Sequence, residues 1–355
     1  MLLLLAASLS PSLLLLAPLG RAGRVGFAPR VAAPVCAADD GRSPDSSSAM
    51  VDGEIAIVSM PPESFKQLVE QAAEATAAAI SDGALQMEVE FPPLPTSKLD
   101  DSSISAYDIL EANLRLVLEY HKRLLPLLPS VQNVALTLPD LPERKRAVEL
   151  LGDDEPWPGL KAWSLVGGDA NPGPFDWVSS VLKQGVPEPE LAEWADMYIE
   201  LPTLNLLRQR EPTKPVIYFN LKLDVLRGDL GLPGFPPRST HHEFLSFIKP
   251  VYYLRPRSYS LSLSRPPFLI AYQGVLFRKY PEGYQTLLDR GKQKYRRVLV
   301  NKDRPALGLF KAQLTSALKL EDDAADSAIS QAGYKQSTWW EDDVNKEDVS
   351  QDWRK

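Results

Sequence analysis

The chain has 355 residues, enough for one large α/β domain or two small ones, and carries a net charge of −7. Its single cysteine, Cys36, lies in a leader expected to be removed, and its histidines number three, so a disulfide, a thiolate metal site and a histidine-rich metal centre are excluded. The charge is uneven: residues 249–311 hold 14 basic residues against Glu282, Asp289 and Asp303, whereas residues 321–355 hold 4 basic and 10 acidic.

Residues 1–50 read as a targeting segment and flexible lead-in. Leu2 to Leu19 is apolar but broken at Ser10-Pro11-Ser12, leaving runs too short to span a bilayer. Gly26-Phe27-Ala28-Pro29-Arg30 then opens a basic, acid-poor stretch. This order resembles the bipartite presequences of algae with complex plastids, which implies a chloroplast protein.

From 51 to 320 the pattern predicts a single α/β domain. Pro61-Pro62 opens a helix whose apolar face is Phe65, Leu68, Val69, Ala72, Ala73, Thr76 and Ile80, closed at Gly83. A strand follows, with Met87, Val89 and Phe91 alternating against Glu88 and Glu90, so one face should be less buried. Ser102 or Ser103 can cap a helix running to about Leu125, with His121 on its inner stripe. Further strands are expected at Val134–Leu138, Leu160–Val166, Met197–Leu201, Pro215–Asn220, Val251–Leu254 and Phe268–Phe277. Short helices are expected at Tyr284–Leu288 and Leu309–Leu318.

Three of these strands run into prolines: Glu90-Phe91-Pro92-Pro93, Leu138-Pro139 and Leu201-Pro202. Proline cannot donate to a ladder, so it ends each strand, and the intervening helices predict parallel pairing. The fold class expected is therefore α/β, a three-layer Rossmann-like domain with a mostly parallel sheet and helices on both faces, and the carboxyl edge is its working edge. Residues 321–355 read as a disordered acidic tail bearing Trp339, Trp340 and Trp353.

Motifs for chemistry are sparse. G-x-S-x-G, H-E-x-x-H, the Walker spacing and G-x-G-x-x-G do not occur, and His241 and His242 are neighbours that point apart, so no catalytic residue, metal ligand or cofactor is assigned. Asn220, at the end of the Pro215–Asn220 strand, can tie two loops or touch a ligand. The basic segment, with Arg255, Arg257, Arg278, Lys279, Tyr280, Arg296 and Arg297, can serve as a contact face for protein or an anionic membrane. A pI near 5.2 and the want of an RNP-type motif disfavour nucleic acid.

The order of Met87-Glu88-Val89-Glu90, Leu136-Thr137-Leu138-Pro139-Asp140, Pro215-Val216-Ile217-Tyr218-Phe219-Asn220, Tyr252-Tyr253-Leu254 and Gly274-Val275-Leu276-Phe277-Arg278-Lys279-Tyr280-Pro281 resembles a plastid family built on a domain of unknown function. That family includes the low photosystem II accumulation 3 protein and the C-terminal part of a plant plastid adenylate kinase. The resemblance implies a stromal or peripheral thylakoid protein. It would be a non-enzymatic factor assisting photosystem II assembly, with photosystem II subunits or the thylakoid insertase as partners. It transfers no catalytic residue, and the kinase part is not in this chain. Two alternatives stay open: a small-molecule or nucleotide-binding enzyme at the strand edge, and a plastid RNA-binding protein.

Overall fold

The computed structural model describes residues 48–51, 54–95, 98, 103–131, 134–138, 141–151, 160–164, 177–181, 215–224, 238–291, 294–325 and 349–355. The expected leader, the Met197–Leu201 strand, and Trp339 with Trp340 lie outside these residues. In chain order the described elements are β1 (Ser48–Val51), β2 (Glu54–Ile57), α1 (Phe65–Ser81), β3 (Gln86–Glu90), α2 (Ala106–Leu124), β4 (Val134–Leu138), α3 (Leu141–Leu151), β5 (Leu160–Ser164), β6 (Trp177–Val181) and β7 (Val216–Phe219). They continue with α4 (Arg238–Glu243), β8 (Lys249–Ser262), β9 (Leu269–Lys279), β10 (Tyr284–Asp289), β11 (Tyr295–Asn301), α5 (Leu307–Ala317) and α6 (Glu321–Ala325).

Apart from the small β1–β2 ladder, the described strands form one sheet in the order β11-β10-β9-β8-β3-β7-β6-β4-β5. The fold is α/β, but the sheet is mixed. In the six strands from β11 to β7, three neighbouring pairs are antiparallel and only β8–β3 and β3–β7 are parallel. Strands β6, β4 and β5 extend it in parallel beyond β7. The expected α/β class holds, but the antiparallel strands from β8 to β11 make the sheet mixed and set it apart from the Rossmann-like arrangement expected. After β8 the chain makes no helical crossover and returns through hairpins, which can only pair antiparallel.

One expected helix is absent for the same reason. Tyr284–Leu288 is strand β10, buried on both faces, and a short apolar run of that kind does not separate helix from strand by periodicity. Strand β11, which the sequence reading did not find, pairs with it.

Helix α1 forms because Ser64 caps it, its Oγ accepting from the Gln67 N–H at 3.2 Å, and because an alanine-rich run follows. Gly83, at φ 84°, takes the left-handed turn that ends it. The first turn of α2 is capped by Ser105, with Asp108 completing a capping box, two to three residues later than expected. The two helices are joined where the Tyr120 hydroxyl donates to Thr76 Oγ1 at 2.7 Å, and Ala72, Ala73 and Ala79 are fully buried in this layer. They cover one face of the sheet, burying Met87, Val89, Phe219, Val275 and Phe277. Helix α5 covers the other face over the hairpins, where Phe310 and Leu314 bury Tyr253, Leu276, Tyr284 and Leu288.

The expectation of a disordered tail does not describe residues 349–355. Trp353 is buried edge-to-face against His241, its backbone N–H donates to the Ser246 carbonyl, and the Arg304 backbone N–H donates to the Arg354 carbonyl.

Gly283 sits in the β9–β10 turn, where an added Cβ would meet the Asn301 carbonyl oxygen of the neighbouring strand. Backbone on both sides leaves nothing to rotate away. Gly283→Ala is expected to destabilise the domain by about 1–3 kcal/mol in denaturant titrations; unchanged stability would show that the turn can yield.

Candidate functional site

The charged residues of β3 define the place. Alternation predicted a half-exposed strand, but all five residues are buried, Glu88 and Glu90 included. The side of β3 opposite the helical layer is covered by groups from β8, from the turn after β7 and from the loop before α5.

That turn depends on Asn220 and Lys222, both left-handed at φ 55° and 51°. The Asn220 N–H donates to the Val89 carbonyl and its Oδ1 accepts from the Phe91 N–H, each at 2.8 Å. Its Nδ2 donates to Asn113 Oδ1 on α2, also at 2.8 Å. The side chain thus sits in the interior, tying β3, β7 and α2 together. Two residues on, the Lys222 N–H donates to Glu90 Oε2 at 3.0 Å.

Asp224 follows, and it is the centre of the cluster. Its Oδ2 accepts from Arg304 Nη2 at 2.5 Å and from the Tyr253 hydroxyl at 2.6 Å, while Arg255 Nη1 lies at 2.9 Å and Arg257 Nη2 at 3.6 Å. Tyr253, Arg255 and Arg257 share one face of β8 because they alternate along the strand. Arg304 also stacks its guanidinium over the Tyr253 ring, 4.9 Å from its centre.

Burial acts on the titrating groups in opposite senses. It pushes the Glu90 carboxyl up to about 7 against the pull of Arg255, and lifts the Tyr253 hydroxyl to about 12. It lowers the Lys222 ammonium below its ordinary range. On the opposite face of the sheet, burial pushes His121 down to about 4 against the opposing pull of the Val117 carbonyl, 2.6 Å from its Nδ1. The edge therefore combines an acid that titrates near neutrality with a set of fixed cations.

The contact residues expected from sequence do not form one face. Asn220, Arg255 and Arg257 are at this edge. Arg278, Lys279 and Tyr280 are at the end of β9, beside the start of β8. There Arg278 is buried over the Tyr284 ring, Lys279 pairs with Glu74 at 2.8 Å, and the Tyr280 hydroxyl donates to Asp82 at 2.9 Å. On the outer strand β11, Arg296 donates to the Ala317 carbonyl and Arg297 to Gln285 Oε1 and the Ser59 carbonyl. Glu90, Lys222, Asp224, Tyr253 and Arg304 were not assigned as contact residues from sequence. The available signal was two acids, Glu88 and Glu90, alternating with Met87 and Val89 in one strand.

A separate feature lies at the far end of the β8–β9 hairpin. The Leu263 N–H donates to the Phe268 carbonyl and the Phe268 N–H to the Arg265 carbonyl, closing a tip that leaves Phe268 60% and Leu269 58% exposed.

Two expected outcomes follow for the edge. Folded Glu90 keeps its proton to about pH 7, whereas the unfolded residue loses it near 4.5. The folded state thus binds more protons across that window, and stability from this group falls as pH rises through it. Glu90→Gln keeps the acceptor for Lys222 and removes the titration. Its stability relative to the parent should therefore grow by about 3 kcal/mol between pH 4.5 and 8. Parallel denaturation curves at all pH values would show that Glu90 ionises normally. Asn220→Ala strands the buried Phe91 N–H and Asn113 Oδ1 and should lower stability by about 1–3 kcal/mol for each group. A loss under 1 kcal/mol in denaturant titrations would mean that the tie carries little.

Residues 62–312 match the model of a domain of unknown function, DUF1995. No curated protein and no solved structure matches the chain.

Proposed function

The chain belongs to the DUF1995 family, whose domain spans residues 62–312, and from that premise we propose that it is a non-enzymatic plastid assembly factor. In this reading it works in the stroma or at the thylakoid periphery, as does the low photosystem II accumulation 3 protein, and assists photosystem II biogenesis by protein contacts. Photosystem II subunits or the thylakoid insertase are its partners. Among family members we read it as akin to that protein and to the C-terminal part of the plant plastid adenylate kinase.

The observation that carries a contact role is the hairpin tip. Phe268 and Leu269 offer adjacent apolar side chains to solvent. Their surroundings carry both signs of charge. Arg265 is paired with Asp323 at 3.3 Å, Glu321 and Asp322 are exposed on α6, and Arg290 and Lys294 are exposed in the β10–β11 turn. Antiparallel pairing puts that turn at the same end of the sheet as the tip. An apolar centre with a mixed polar rim is the anatomy of a protein interface, whereas a nucleic-acid or anionic-lipid surface calls for charge of one sign.

The experiment is a pull-down from solubilised thylakoids with the purified chain as bait. The parent is expected to recover photosystem II or insertase subunits, and Phe268→Ser with Leu269→Ser to lose them at least tenfold without loss of stability. Recovery of neither class of subunit by the parent would overturn the reading, and equal recovery by the variant would remove the tip from it.

A further inference from the structure

We propose that Lys222, Arg255 and Arg257 form a binding site for a phosphate group carried by a small molecule or a lipid headgroup. The site is independent of the assembly reading and lies elsewhere on the sheet from the hairpin tip.

The argument begins with Asp224. Its Oδ2 already takes two close donors, Arg304 Nη2 and the Tyr253 hydroxyl. Arg255 Nη1 stands 2.9 Å from the same oxygen, yet it is buried and makes no hydrogen bond. Arg257 Nη2, at 3.6 Å, is beyond hydrogen-bonding range. One carboxylate oxygen cannot direct lone pairs at four donors. Arg255 and Arg257 are thus held in place by attraction to Asp224, while Arg255 Nη1 and Arg257 Nη2 make no hydrogen bond among the described residues.

The charges leave a surplus. Among the described residues Lys222, Arg255, Arg257 and Arg304 face Glu88, Glu90 and Asp224, so these cations outnumber these acids even with every acid ionised. Retention of the Glu90 proton toward neutrality widens that surplus. Two guanidiniums side by side repel each other in a partly desolvated place, and a second anion between them relieves this. They are two residues apart on one strand face, and 26% of each side chain is exposed, with Arg255 Nη1 itself buried. Planar forks that donate in pairs match the oxygen spacing of phosphate, and Lys222 adds a point charge at the same edge. The edge is also where parallel α/β sheets place ligands.

The test is isothermal titration calorimetry of the full chain with inorganic phosphate and with glycerol 3-phosphate, at ionic strength fixed with chloride. Co-sedimentation with phosphatidylglycerol and with phosphatidylcholine vesicles forms the second arm. Saturable binding is expected for the parent, weakened at least tenfold in Arg257→Gln and in Lys222→Gln and retained in Arg290→Gln, which alters an exposed cation outside the site. Arg255→Gln adds to this set if it folds. Arg257→Gln suffices without it, because Arg257 makes no hydrogen bond that the fold uses. Binding of the small phosphates without preference for phosphatidylglycerol vesicles identifies a soluble ligand, and vesicle binding lost in the same variants identifies a headgroup. A parent that binds none of these probes, or an Arg257→Gln variant that binds as the parent does, overturns the site.

Discussion

The left-handed turn at Asn220 and Lys222 is the constraint from which the working end of this domain follows. With φ positive at both residues, the chain leaving β7 doubles back over the end of β3. Such conformations are unfavourable for residues other than glycine. Here they are held by three hydrogen bonds of Asn220, to β3 on one side and α2 on the other. Only this path delivers Asp224 beneath β8, opposite Arg255 and Arg304. Without it, Arg255 and Arg304 would lose the carboxylate that pairs with them.

The energetics of that cluster are those of buried charge in general. Removing an arginine or an aspartate from water is expensive, and mutual attraction offsets the expense only when geometry is good and partners are complete. Arg304, with 2% of its side chain exposed, meets these conditions through Asp224 and the Tyr253 ring. Glu90 does not, and the fold resolves the conflict by keeping a proton on it toward neutral pH. The cluster is thus fixed at its centre and adjustable at its rim.

The parts of the fold legible in sequence were those written locally. Helix α1 could be read from its 3–4 spacing and its closing glycine, β3 from its alternation, and β4 and β7 from their apolar runs. The antiparallel half was harder, because β10 is buried on both faces and has the composition of a helix turn as much as of a strand. The edge cluster could be read only in part, through Asn220, Arg255 and Arg257. Its members lie more than 200 residues apart in the chain, from Glu88 to Arg304, and meet only through sheet order. The basic segment was visible as composition, but composition does not say which guanidiniums are spent. Arg278 is consumed by Tyr284 and Glu282, whereas Arg257 is not hydrogen-bonded.

Strand β8 joins these regions in a single piece of chain. It is parallel to β3 on one side and antiparallel to β9 on the other, and it runs unbroken for 14 residues, about 45 Å at the rise of an extended strand. Its first half packs under α1, and its second half packs under α5, where Leu261 and Tyr259 meet Phe310. One strand therefore carries the core tyrosines, the two guanidiniums and the root of the apolar tip, and its register sets their order and spacing along the sheet.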